Sequence, residues 1–143
     1  MGQGLFQKVA QVAARIFGIP IKKVQITATD TAKVPNTSAT AASSGSDLNG
    51  MAVKEACDII CARISSYFIE KYRPNTNDVK FEDGRVRGSN FDISFEDAVY
   101  EIYTQRISLS STGFYKTPDL QWDRIKGKGR PFYYFAYGAA VSE

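Results

Sequence analysis

Residues 48–68 read LNGMAVKEACDIICARISSYF, and the spacing of their apolar members decides the architecture. Leu48, Ala52, Ala56, Ile59, Ile60, Ile64, Tyr67 and Phe68 recur every three or four positions for about five turns, the period of a helix that buries one stripe. Pro74 ends the run, because proline has no amide hydrogen to give the preceding turn. Ser44, with Asp47 three residues on, predicts a capping box at the start, Asp standing in for the usual Glu. A stripe this long needs partners, and the flanking sequence offers them.

Upstream, Leu5, Val9, Val12, Ile16 and Phe17 predict a helix over 5–17 that stops at Gly18 with Pro20 just beyond. Val24, Ile26 and Ala28 alternate with Gln25, Thr27 and Thr29, the period of a half-buried strand. Residues 31–46 are mostly Thr, Ser, Ala and Asn, the composition of a linker. Downstream, Asp83-Gly84 between Val79, Phe81 and Val86 predicts a small exposed hairpin on a type I′ turn, an insertion or ornament over 75–91. Ser94 with Asp97 opens a further helix from Phe95 to about Arg106, with Phe95, Ala98, Val99 and Ile102 on its buried face. Leu109, Ser111, Gly113 and Tyr115 alternate as a strand, Lys126 to Arg130 form a basic glycine-rich turn, and Phe132 to Val141 read as an interior strand. No internal repeat is visible.

The chain has 143 residues, 43% hydrophobic and 23% charged, which suits one domain with a real core. Histidine is absent, so the usual proton shuttle, the commonest metal ligand and every His-dependent triad are excluded. Any reactive group must come from elsewhere. A net charge of +3 implies neither nucleic acid nor an anionic membrane as partner. Cys57 and Cys61, four apart on one helix with no further Cys or His, read as buried free thiols of a reducing compartment. No apolar stretch approaches the roughly 20 residues of a bilayer span. The basic first helix lacks the serines of a presequence, and Phe6 stands where myristoylation needs Ser or Thr. The expected location is cytoplasmic.

Three stretches invite a functional reading. Gly2-Gln3-Gly4 precedes a helix, where free N–H groups and the positive end of the helix dipole suit an anion; a tight turn at a frayed terminus is the alternative. Thr40-Ala41-Ala42-Ser43 offers hydroxyl donors and small side chains that let a ligand reach the backbone, or else is a surface linker. A long loop in a compact domain that ends at a helix start is usually functional. Neither stretch holds a nucleophile and a base, so both are binding devices. The third, basic residues leading into Phe132, Tyr133, Tyr134, Phe135 and Tyr137, fails as an RNA-stacking strand because Arg130-Pro131 stand where the signature wants an aromatic and a small residue.

Met1-Gly-Gln-Gly-Leu5, Val34-Pro-Asn-Thr-Ser38, Thr40-Ala-Ala-Ser43, Asp47-Leu-Asn-Gly50, Leu109-Ser-Ser-Thr-Gly-Phe-Tyr115 and the ending Pro131 to Glu143 occur in the order and approximate spacing of one family. The sequence resembles the molybdenum-cofactor-binding region of the xanthine dehydrogenase and aldehyde oxidase family, closest to the large subunits of its bacterial xanthine dehydrogenase members. The resemblance covers essentially the whole chain and is weakest between Arg73 and Phe91. It implies an α+β fold, a mixed sheet with two or three packed helices, and a partial molybdopterin-binding domain over 1–143. It further implies oxidative hydroxylation of purines, hypoxanthine or xanthine to urate, with water as oxygen source. Electrons would pass through 2Fe-2S clusters and FAD to NAD; aldehyde oxidation, or a stand-alone binding module, is the alternative.

Matched motif to motif, Gly2 and Gln3 would contact the molybdopterin, Thr40, Ala41, Ala42 and Ser43 would wrap its pterin and phosphate, and Ala42 would lie near the substrate. The family's catalytic glutamate belongs to a later Gly-Glu motif, and Glu143 is not it, so no catalytic residue is assigned here. The expectation is a piece of a larger enzyme, inactive and cofactor-free alone, whose partners are the rest of the large subunit and the FAD/iron–sulfur subunit. Exposed aromatic strand edges near the C-terminus also suggest self-association.

Overall fold

A computed structural model describes residues 4–27, 30, 44–76, 78–133 and 139–142. In chain order the elements are α1 (Leu5–Ile16), a 3₁₀ turn (Ile21–Lys23), α2 (Gly45–Tyr72), β1 (Lys80–Glu82), β2 (Arg85–Gly88), β3 (Phe91–Ser94), α3 (Phe95–Thr104), β4 (Gln121–Asp123) and β5 (Lys128–Arg130). The fold is α+β, as expected. Among the described residues the strands form two antiparallel sheets, β1-β2-β3 and β4-β5, where a mixed sheet was expected. The reason is local: every ladder is closed by a short hairpin turn, and parallel pairs need long crossovers.

The long helix α2 has 28 residues and spans about 42 Å. Its two halves have different partners. The first half packs on α1, with Gly50 facing Val12. The second half carries Ile64 and Phe68 into the main core with Val86, Phe91, Ala98 and Ile102; all except Phe91 are fully buried. Phe68 stands among Tyr67, Tyr72 and Phe91, with ring centroids 5.2, 6.0 and 5.6 Å away, inside the range of favourable aromatic pairs. Tyr67 donates a 2.6 Å hydrogen bond to Glu101 Oε1, and Lys71 pairs with the same oxygen, so α2 is tied to α3 beside the core.

The hairpin around Asp83-Gly84 is no exposed ornament. Both turn residues have positive φ, 52° and 71°, as a type I′ turn requires, but β3 adds a third strand and Val86 and Phe91 form part of the core. The turn also receives α1. Gly84 N–H donates to the Gly18 carbonyl at 2.6 Å, and its own carbonyl accepts from Phe95 N–H at 2.8 Å. Gly18, at φ 63°, closes α1 with the paired Ile19 N–H to Ala14 and Gly18 N–H to Arg15 bonds of a Schellman motif. A Cβ there would stand 2.5 Å from the Phe81–Glu82 peptide, so the position admits only glycine.

Two helix starts differ from each other. Ser94 caps α3 as expected, accepting from Asp97 N–H at 3.1 Å. Ser44 precedes α2 with φ −95° and ψ −11°, already helical rather than extended, so its hydroxyl makes no cap bond and the predicted box does not form.

Two predicted strands are not formed among the described residues, and most of a third lies outside them. Residues 24–27 carry no ladder, and Ile26 is exposed. Residues 107–117 do alternate between half-buried and exposed, yet no strand pairs with them among the described residues. Arg63 occupies that role instead, donating from Nη1 to the carbonyls of Ser108 and Ser110 at 3.1 and 2.8 Å. Phe132, Tyr133 and 139–142 are outside any strand, and 134–138 lie outside the described residues. The basic turn at Lys126 to Arg130 is the turn and second strand of the β4-β5 hairpin.

Candidate functional site

The residues singled out in the sequence, Gly2, Gln3, Thr40, Ala41, Ala42 and Ser43, all lie outside the described residues. The described chain resumes at the residue next to each stretch. Gly4 is the N-cap of α1 and Ser44 the N-cap of α2, and neither supplies a side-chain cap. The first-turn N–H groups of a helix have no partner within the helix, and the dipole places positive charge there. The first turn of α1 holds no acidic residue, whereas that of α2 holds Asp47, so α1 has the more anion-attracting end. Gly4 adopts the left-handed conformation, φ 68°, and among the described residues nothing lies within 4 Å of where its Cβ would stand.

The first turn of α1 and the second turn of α2 border one groove of about 550 Å³. Leu5 and Val9 of α1 and Asn49 and Ala52 of α2 form its sides, the 24–26 segment one rim and 111–113 the other. Gly113 accounts for the close approach of that second rim: a Cβ on it would run into the Ala52 carbonyl and the Ala56 amide of α2. The polar groups of the lining are Gln25, Asn49, Ser111 and Thr112, and none of the lining side chains titrates. Asn49 is oriented by a 2.9 Å hydrogen bond from Nδ2 to the Gly45 carbonyl. Such a groove can hold and orient a ligand through donors and acceptors, and supplies no general acid or base of its own.

The sequence reading missed Gln25, Asn49, Ser111 and Thr112 as groove-lining groups. Asn49, Ser111 and Thr112 were signalled only by membership of quoted motifs and Gln25 only by its place in an alternating stretch, since uncharged polar residues carry no chemistry that spacing alone reveals.

The groups with shifted protonation lie elsewhere. Burial pushes the Cys57 thiol up and the Cys61 thiol up to about 12, and both are free. Burial opposes ionisation of Glu101, but the hydrogen bonds from Lys71 and Tyr67 outweigh it and hold the carboxyl below its ordinary value. Arg85, with Arg87 beside it, holds Asp92 low against partial desolvation. At the far end of α1 a larger, charged cleft is lined by Arg15, Lys23, Glu82, Asp83 and Glu96, with Lys23 and Glu96 paired. No group of three or more metal-ligating side chains occurs among the described residues, and no described helix is long and apolar enough to cross a membrane.

Comparison with known proteins gives this arrangement a context. The profile of the molybdopterin cofactor-binding domain family matches residues 1–143. Among curated proteins, the chain is 48% identical over 143 residues to a xanthine dehydrogenase of Oryza sativa subsp. japonica and 45% identical to the xanthine dehydrogenase/oxidase of Mus musculus. It is 46% identical to xanthine dehydrogenase 1 of Arabidopsis thaliana. Each match covers 100% of this chain and 9% of the relative. A family profile that matches every residue, together with such identities, establishes that the chain belongs to the molybdopterin cofactor-binding domain family.

Proposed function

We propose that the chain forms one wall of the molybdenum-cofactor site of a cytoplasmic xanthine dehydrogenase. When bound, the cofactor supplies the redox centre for hydroxylating hypoxanthine or xanthine with oxygen taken from water. The observation that carries the reading is that the first turn of α1 and the second turn of α2 border one groove whose polar groups, Gln25, Asn49, Ser111 and Thr112, are uncharged and whose lining holds no titratable side chain. That donor set suits an anionic, hydrogen-bonding ligand. Gly2 and Gln3 directly precede the first helix start in sequence, and Thr40, Ala41, Ala42 and Ser43 the second, so they are the residues proposed to hold the pterin and its phosphate.

In this reading the protein's part is to bind and orient. Backbone N–H groups of both stretches hold anionic oxygens, Gln3 contributes an amide beside the metal's ligands, and Ala42 leaves room for substrate. The base that moves the proton, the 2Fe-2S clusters, the FAD and NAD as final acceptor belong to other parts of the enzyme. An aldehyde substrate is the alternative, because the purine-selecting residues expected from the family resemblance lie mostly outside these 143 positions.

The test is made in the protein that contains this chain. Gln3→Ala is expected to lower molybdenum content or xanthine-dependent NAD reduction by about tenfold, because a hydrogen bond from the Gln3 amide to the cofactor would contribute about 1 to 3 kcal/mol. Unchanged metal content together with unchanged turnover rejects the assignment. Turnover of xanthine by residues 1–143 alone rejects it equally.

A further inference from the structure

The β4-β5 hairpin is unlike the rest of the fold. Every residue from Lys116 to Phe132 except Thr117 is exposed, including Ile125 at 97% and Phe132 at 69%. Its two strands pair only with each other among the described residues. A lone two-stranded hairpin is marginally stable in water, and one that also shows Leu120, Trp122 and Ile125 to solvent gains little from folding alone. Its local geometry is nevertheless well specified. Asp123 Oδ1 accepts from the N–H groups of Ile125 and Lys126 at 2.9 and 3.1 Å, which fixes the turn and aims Ile125 outward.

Charge sets the hairpin apart as well. Residues 116–130 hold five basic side chains against two acidic ones, a net +3 that equals the charge of the whole chain, so the remainder is neutral on balance. Exposed aromatic and aliphatic groups interleaved with Arg and Lys have the composition of an interface core and its rim. The positive balance selects an acidic counterpart. A second copy of the chain is a poor match, because it presents the same positive arm on an otherwise neutral body. A nucleic acid would match the charge and Trp122, but it offers no slot for Ile125 and Leu120.

We propose that the β4-β5 hairpin is a docking arm, with Trp122 and Ile125 seated in an apolar slot of an acidic protein surface elsewhere in the same enzyme. This rests on the reading of the chain as part of a larger enzyme, whose relatives are about elevenfold longer, since the match covers 9% of them.

The experiment is hydroxyl-radical footprinting, read by mass spectrometry at Trp122 and Phe132, on the native protein that contains the chain and on the same protein in urea. A zero-length carbodiimide is used in parallel to join Lys126 and Lys128 to neighbouring carboxylates. Expected are oxidation about tenfold slower in the native protein, as for residues in an interface core, and cross-links to Asp or Glu outside residues 1–143. In a protein in which Arg124→Glu, Lys126→Glu and Lys128→Glu are combined, protection at Trp122 should fall severalfold while xanthine turnover per molybdenum persists. The three positions are exposed, so folding of the rest is not at risk.

Fast oxidation of Trp122 in the native protein overturns the arm. So do cross-links confined to carboxylates of another copy of residues 1–143, and protection that a nuclease removes. A native mass of 15.8 kDa would overturn the larger-enzyme reading and the arm together; a large, molybdenum-bearing protein with an open arm overturns the arm alone.

Discussion

Gly113→Ala tests the contact that builds one rim of the groove. Gly113 is not among the residues with positive φ, so alanine can adopt its backbone conformation and the issue is space. The Cβ would fall on the Ala52 carbonyl and the amide of Ala56, backbone atoms inside a packed helix that cannot rotate aside. Forcing an extra carbon into such a contact costs about 1–3 kcal/mol, with the upper end expected against backbone. Against this, alanine narrows the unfolded ensemble and returns about 0.4–1 kcal/mol. The net is a loss of about 2 kcal/mol, roughly a thirtyfold rise in the unfolded fraction and a fall in Tm of about 4–8 °C. Urea unfolding of the chain followed by far-UV circular dichroism reads the change as a lower midpoint at constant slope. Because the obstacle is backbone, adding Ala52→Gly should give no rescue. A Gly113→Ala variant as stable as the parent, or one restored by Ala52→Gly, would refute the close approach and with it the shape of the groove.

Phe68→Ala removes a fully buried ring from the centre of the aromatic cluster and should cost about 3–5 kcal/mol. Tyr100→Ala, on the 71% exposed face of α3, should stay within about 0.5 kcal/mol in the same denaturation assay. With its thiol pushed up to about 12, Cys61 is only about one part in ten thousand thiolate at pH 8. Ellman's reagent should therefore label it slowly in native protein and promptly in urea; fast native labelling would contradict its burial. Glu101 has a lowered carboxyl, so its contribution is present above the ordinary value of 4.5 and is lost as pH falls below it. Glu101→Gln should flatten that acid limb of the stability–pH curve, and an unchanged limb would mean that the Lys71 and Tyr67 bonds contribute nothing.

What was legible in the sequence is what local periodicity and turn chemistry dictate. The three helices follow from apolar spacing, the Ser94 cap from a hydroxyl three residues before an acid, and the Asp83-Gly84 turn from the tolerance of those residues for positive φ. The absence of histidine excluded His-dependent triads and zinc motifs before any fold was known, and the ordered motifs carried the family. The proposed cofactor contacts were legible only as motifs, because nothing in their composition separates an anion cradle from a linker.

The tertiary structure decided which alternating stretches become strands and what each surface faces. Alternation reports that a stretch is extended and half-buried, and a ladder needs a partner in register. Residues 107–117 have the alternation, but among the described residues no strand pairs with them; Arg63 takes two of their carbonyls and α2 covers the face toward which Gly113 would direct a side chain. The hairpin at 80–88 reads as ornament in isolation because each strand is three or four residues long; it enters the core only because β3, α2 and α3 close over Val86. Burial is a property of neighbours distant in the chain, and no local pattern contains it.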